Sequence, residues 1–398
     1  MTRVMAGLAT GLVLLVAGLV SAADKDVALE PIKKVEIGKN REFLVNGKPF
    51  FPLMTWLQDP KTYPKLQGMG FNVHCGDADP SAAKAVGCYS VTSFKKEWIG
   101  NDHLLGWVQG DEPDMPGKDK KPKHSPEEIV AAYQATKAAD PMHPIFMTLT
   151  GYFMASEPKY DAATRAKLYP AYMPGCDATG FDVYPIYDSA TPGRLLQVAD
   201  GITALRVFAG PRPIYEWIET SKGSKWIKNY SKQIDVEPKD TRAEVWMAII
   251  RGATVIGYFT HAWLPTYTSF RPTPEMQKEL TRLNGQITRL APAILAPPAK
   301  AAVAITVADG LKCHCKATQL DNSLYVFAQI LDLGPNADKL KQFDPIAPRS
   351  GKATITVPGL KAGTAIEVVD ENRSLSAADG RFTDDFAPLA EHIYKMKF

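Results

Sequence analysis

Residues 104–150 read "LLGWVQGDEPDMPGKDKKPKHSPEEIVAAYQATKAADPMHPIFMTLT". Two short apolar runs, 104–110 and 143–150, flank a segment with helical spacing. Ser125 stands where an N-cap belongs, Pro126 follows at the first helical position, and Glu127 and Glu128 place acids in the first turn. A strand, a helix and a strand in succession predict parallel pairing through a crossover. Runs that are apolar on both faces fit a parallel sheet covered by helices.

Working outward from this unit, the same pattern recurs. Apolar, β-rich runs occupy 51–56, 70–76, 86–92, 104–110, 143–150, 179–186, 212–219 and 255–263. Between them lie helical segments: a short one at 60–69, one from Thr241 as cap, and an amphipathic one from Thr273. Eight units in about 250 residues predict an α/β chain closed into a (β/α)8 TIM barrel over residues 30–292. An open, doubly wound sheet would prefer fewer strands, and its dinucleotide turn, GxGxxG, does not occur in the sequence. Ahead of the barrel, Asn46-Gly47 between alternating apolar residues predicts a hairpin. Past "APAILAPPA" (291–299) the pattern changes to short alternating strands within 301–310, 312–331, 351–360, 363–372 and 391–398. These predict a small antiparallel β-sandwich over residues 299–398.

Residues 1–23 read as an export signal: Arg3, an apolar run from Met5 to Val20, and small residues through Ala23. The run is shorter than the roughly 20 residues that span a bilayer. The expected destination is the periplasm or the medium, with no membrane association once the signal is removed. A formal net charge of +3 is close to neutral and implies no nucleic-acid partner. Five cysteines, Cys75, Cys88, Cys176, Cys313 and Cys315, form no CxxC pair. Cys75 and Cys88 could pair across neighbouring strands. Cys313 and Cys315 share a strand face but lack the second His/Cys pair that zinc requires. No nucleotide, metalloprotease or serine-hydrolase motif appears, so neither cofactor nor metal is expected.

Barrel chemistry sits at the C-terminal ends of the strands. Here those ends carry Trp56, His74, Asp111-Glu112, Asp182-Val183-Tyr184, Glu216 to Glu219, and His261-Ala262-Trp263. Carboxylates ringed by aromatics suit a carbohydrate. Glycoside hydrolysis needs two carboxyl groups, one of them protonated. Asp111 and Asp114 are like charges that would help keep Glu112 protonated. Glu216 and Glu219 face opposite sides of a strand. Glu219 comes last and is expected at the mouth, whereas Glu216 is expected deeper, in a buried ion pair. Asp182 is expected toward the helices, and His74 and Trp107 in structural roles.

With its export signal, "NGKPFFPL" (46–53), barrel and trailing β-domain, the chain resembles the clan A glycoside hydrolases over most of residues 35–290. The resemblance implies retaining hydrolysis of an oligo- or polysaccharide. It implies Glu112 of "QGDEPD" as acid/base and Glu219 of "YEWIETS" as nucleophile. It implies Tyr184 and Trp263 as substrate contacts, and places at the strand ends add Asp111, Trp56 and His261. Two departures stand out: Asp111 replaces the clan's usual Asn, and "GFNVHCG" (70–76) lacks its usual Arg. They leave two further readings, a glycan-binding barrel without turnover and a metal-dependent hydrolase or lyase built on His74, Asp77 and Asp79.

Overall fold

A computed structural model describes residues 28–398; the export signal expected at 1–23 lies outside them. A three-stranded meander comes first: β1 (Val35–Ile37), β2 (Phe43–Val45) and β3 (Lys48–Phe50). The Asn46-Gly47 turn joins β2 to β3, with both residues at positive φ, 53° and 77°. That is the geometry a two-residue hairpin demands.

The barrel strands are β4 (Leu53–Trp56), β5 (Val73–Gly76), β6 (Tyr89–Ser93), β7 (Leu104–Val108), β8 (Ile145–Thr150), β9 (Ala178–Asp182), β10 (Ile214–Glu219) and β11 (Val255–Phe259). Each pairs in parallel with the next, and β11 pairs back onto β4, closing the ring. All eight fall within the predicted runs or overlap them. Around them lie α1 (Tyr63–Gln67), α2 (Pro80–Ala85), α3 (Pro126–Ala139), α4 (Ala162–Tyr172), α5 (Gln197–Ala209), α6 (Pro238–Arg251) and α7 (Pro274–Ile294). Ser125 caps α3, its hydroxyl accepting from the Glu128 amide while Glu128 accepts from Ser125. Helix α6 starts a turn before the expected Thr241, because Pro238 suits the first position and Asp240 accepts from the Glu237 amide. Thr241, thus inside the helix, donates its hydroxyl to the Glu219 carbonyl at 2.8 Å.

Strand alternation divides the packing. Met54, Val73, Cys75, Tyr89, Phe146, Tyr215 and Trp217 fill the barrel, together with Val35, Phe43 and Val45 of the meander. Phe43 stacks on Phe146 at 5.3 Å, so the meander plugs the N-terminal end. Leu53, Met147, Leu149, Phe181, Ile214, Ile218 and Tyr258 face the helices. Two glycines make room for the interior rings. A Cβ on Gly180 would lie 2.1 Å from Tyr215, and one on Gly257 would lie 2.2 Å from Trp217.

The C-terminal strands are β12 (Ala304–Val307), β13 (Cys313–Leu320), β14 (Ser323–Ile330), β15 (Gly351–Thr356), β16 (Ala365–Val368), β17 (Arg373–Ser376), β18 (Arg381–Phe386) and β19 (Glu391–Lys397). They form sheets β12-β15-β18 and β13-β14-β19-β16-β17 around one apolar core, an antiparallel sandwich. Strand β18 escapes the sequence reading because Asp384 points inward between Phe382 and Phe386 and breaks the apolar alternation, and β17 because Arg373-Ser374-Leu375-Ser376 buries no side chain fully. Arg373 and Tyr394 satisfy Asp384. The sandwich packs on α6 and α7 through Trp246 and Phe327, and Gln329 donates to the Ala243 carbonyl at 3.0 Å.

All five cysteines are unpaired. Cys75 points into the barrel while Cys88 packs among the helices, so the two cannot meet. No helix among the described residues is long and apolar enough to cross a membrane.

Candidate active site

Strand β7 ends at Val108, and the chain turns through 111–115 before α3 begins. Glu112 occupies the left-handed region at φ 48°, a conformation that costs energy in any residue but glycine and that collects at functional sites. The turn is anchored by its neighbour. Asp114 is fully buried and accepts from the Thr150 amide (2.8 Å), the Thr150 hydroxyl (2.5 Å) and the Tyr169 hydroxyl (3.1 Å). The Tyr160 hydroxyl donates to the Asp114 carbonyl. Asp114 is therefore the clamp that fixes the turn to the end of β8.

The turn borders a cavity of about 600 Å³ at the C-terminal mouth of the barrel. Asp111, Glu112 and Asp182 lie on its wall, and Trp56, Tyr184, His261 and Trp263 surround them. Six of the seven residues expected in the site thus share one cavity. Tyr184 packs on Phe259 at 4.8 Å, Trp56 on Trp217 at 5.0 Å, and His261 on Phe259 at 4.0 Å. His261 is 1 % exposed, and neither ring nitrogen makes a hydrogen bond of good geometry within the protein. Burial lowers its pKa to about 4, so the imidazole is neutral.

Glu219, the seventh, is not on the cavity. It is 0 % exposed, and its carboxylate accepts from the backbone amides of Ile186 (3.0 Å) and Tyr187 (2.6 Å). Behind the wall it faces Glu244 of α6, a second fully buried carboxyl whose oxygens have no hydrogen-bond partner among the described residues. Burial pushes Glu219 up to about 8. The expectation of Glu219 at the mouth is corrected: after the last strand residue, loop amides capture the side chain. Glu216 is buried as expected but has no ion pair. One oxygen accepts from the Val183 amide, and the other has no partner.

Asp182 takes the place that Glu219 leaves. It was expected toward the helices, yet it shares inward parity with Gly180 and faces the cavity. Its carboxyl and that of Glu112 share the cavity wall. Both groups are raised. Burial is the main cause for Glu112, which reaches about 7 with added repulsion from Asp111 and Asp114. For Asp182 burial leads again, followed by repulsion from Glu112 and Asp111. Asp111 is also raised by desolvation, against the pull of Lys123.

The residues weighed for a metal are dispersed. His74 stacks under Tyr63 and bonds Thr55, Asp77 accepts from Ser93, and Asp79 caps α2. Several cavity residues had no signal in the sequence, among them Tyr152, Asp188, Arg194, Lys225 and Trp226. They come from loops whose positions only the closed barrel defines.

No protein-family model matches the chain, and no curated protein matches its sequence. Solved structures do match in fold. A glycoside hydrolase family 5 protein from Bacteroides vulgatus superposes with a TM-score of 0.57 at 10% identity, covering 92% of this chain and 94% of its own. The α-amylase of Geobacillus thermoleovorans, solved with acarbose, gives 0.55 at 10% identity, covering 91% and 100%. A further protein described as a glycoside hydrolase gives 0.54 at 10% identity, covering 92% and 96%. This chain carries the eight-stranded parallel barrel of those structures.

Proposed function

We propose that the protein is an exported glycoside hydrolase whose chemistry rests on the paired carboxyls of Glu112 and Asp182. The observation that carries this reading is a pair of acids, Glu112 and Asp182, on the wall of one aromatic-lined cavity at the C-terminal end of a barrel, both raised by burial. Sugar C–H faces stack on Trp56, Tyr184 and Trp263, and neutral His261 hydrogen-bonds a hydroxyl. The pair enters with one proton, which Glu112 gives to the glycosidic oxygen as the bond to the anomeric carbon breaks. Water adds to that carbon and returns a proton to the pair, so the site ends as it began. Asp111, charged and beside them, stabilises the developing positive charge on the sugar. Glu219 takes no part as nucleophile in this scheme, because loop amides hold it away from the sugar.

The test is a screen of the mature protein against aryl-glycosides and oligosaccharides. Turnover that Glu112→Gln and Asp182→Asn each reduce at least about a hundredfold supports the scheme. Turnover that survives both substitutions but vanishes in Glu219→Gln would restore the retaining expectation. Binding with no turnover anywhere in the screen would favour a glycan-binding barrel.

A further inference from the structure

A second cavity of about 540 Å³ lies beside the first, between the barrel and the sandwich. One wall is the loop after β9, with Ser189, Thr191 and Arg194. The other is the long connection between β14 and β15, residues 331–350, through Asp338, Lys341 and Gln342. Ser189 and Arg194 line both cavities, so the surface is continuous from the acid pair to the sandwich.

The contact is close and specific. The Phe343 amide donates to the Ala190 carbonyl at 2.7 Å, and the Gln342 side chain donates to the Ser189 carbonyl at 3.1 Å. Ala190 is at φ 46°. Gly193 lets the two backbones meet, since a Cβ there would sit 2.5 Å from the Ala337 carbonyl oxygen. The loop held in this way is the one that presents Tyr184, Tyr187 and Asp188 to the first cavity.

The lining mixes hydroxyl, amide and charged groups with the apolar side chains of Ala337 and Leu340. Lys341 makes no ion pair among the described residues, and Arg194 pairs with Glu157 of the first cavity. A volume of this size suits a small ligand, and Lys341 and Asp338, which make no ion pair among the described residues, stand beside apolar side chains as a hydroxylated ligand with polar and apolar faces requires. From these features we infer that the groove is a distal subsite for the same glycan. The substrate is then an oligosaccharide or polysaccharide that runs from the acid pair over Arg194 onto the sandwich connection. This rests on the glycosidase reading and extends it: the sandwich contributes substrate contacts through Lys341 and Gln342.

The experiment compares a single-sugar aryl-glycoside found active in the screen with its oligosaccharide homologues of increasing length. In the intact protein, kcat/KM rises about tenfold or more with length, equivalent to roughly 1.4 kcal/mol. In Lys341→Ala, which alters an exposed side chain outside the loop clasp, most of that rise disappears while the aryl-glycoside is hydrolysed at the intact rate. A flat length profile, or equal losses on short and long substrates, overturns the inference and leaves the glycosidase reading standing. If no substrate turns over, that reading fails, and calorimetry with the same oligosaccharides decides the groove. Binding that strengthens with length and weakens in Lys341→Ala supports it, and binding without either property refutes it.

Discussion

Asp114 and Thr150 are joined twice, the Thr150 amide at 2.8 Å and its hydroxyl at 2.5 Å from the two carboxylate oxygens. This pair ties the turn that carries Glu112 to the neighbouring strand. Replacing Asp114 with Ala strands three buried donors, on Thr150 and Tyr169, and costs about 3 kcal/mol or more. Denaturant unfolding should show that loss, with a smaller one in Asp114→Asn. Glycosidase activity should fall in both, because the strained φ of Glu112 persists only while its surroundings enforce it.

Glu112 titrates at about 7, first through burial and then through the charges of Asp111 and Asp114. A general acid is lost as pH rises through its pKa, so kcat/KM should decline on an alkaline limb near neutrality. Asp111→Asn removes one like charge and moves that limb to lower pH. It stays above the ordinary carboxylate range because burial remains. A pH–rate profile of the variant checks this; an unmoved limb would show that Asp111 does not act on Glu112.

Behind the wall, burial raises Glu219 to about 8 and raises Glu244 as well. In the unfolded chain both titrate at about 4.3. Between those limits the folded state binds more protons than the unfolded state. The stability these groups contribute is therefore complete below about pH 4.3 and is lost as pH rises through 8. Glu244→Gln, which removes one of the two charges, should raise the melting temperature more at pH 8 than at pH 5. Melting curves at the two pH values decide it.

Trp263 stands at the mouth, and Trp226 beyond it is 69 % exposed. Lys225 Nζ lies 4.5 Å from the Trp263 ring and 5.1 Å from the Trp226 ring. Trp263→Ala should raise KM about tenfold and leave kcat nearly unchanged, the signature of lost stacking rather than lost chemistry. Steady-state kinetics on the active glycoside measure both parameters.

Gly257→Ala would drive a methyl into the Trp217 indole, whose face is pinned by Trp56 and Tyr215. The indole cannot retreat, so this small change should cost about 2 kcal/mol. A thermal melt against the intact protein measures it.

The barrel was legible because its causes are local. Eight apolar runs, the Ser125 and Thr273 caps and the Asn46-Gly47 turn each declare themselves within a few residues. Trp56, Tyr184 and Trp263 of the cavity followed from strand order alone. The orientation of the acids did not, and parity explains half of that. Gly180 makes room for an interior ring, so Asp182, two residues later, must also face inward. The sequence holds that clue, but only a known partner such as Tyr215 gives it meaning. Glu219 obeys no such rule, because its side chain answers to the amides of Ile186 and Tyr187, more than thirty positions away in sequence.

None of the five sulfurs is joined to another, and Cys75, Cys88 and Cys176 are buried. Cohesion among the described residues comes from packing, hydrogen bonds and ion pairs, with no disulfide cross-link. Dithiothreitol should therefore leave its melting curve unchanged, and a host with a reducing cytosol can supply folded material for every measurement above.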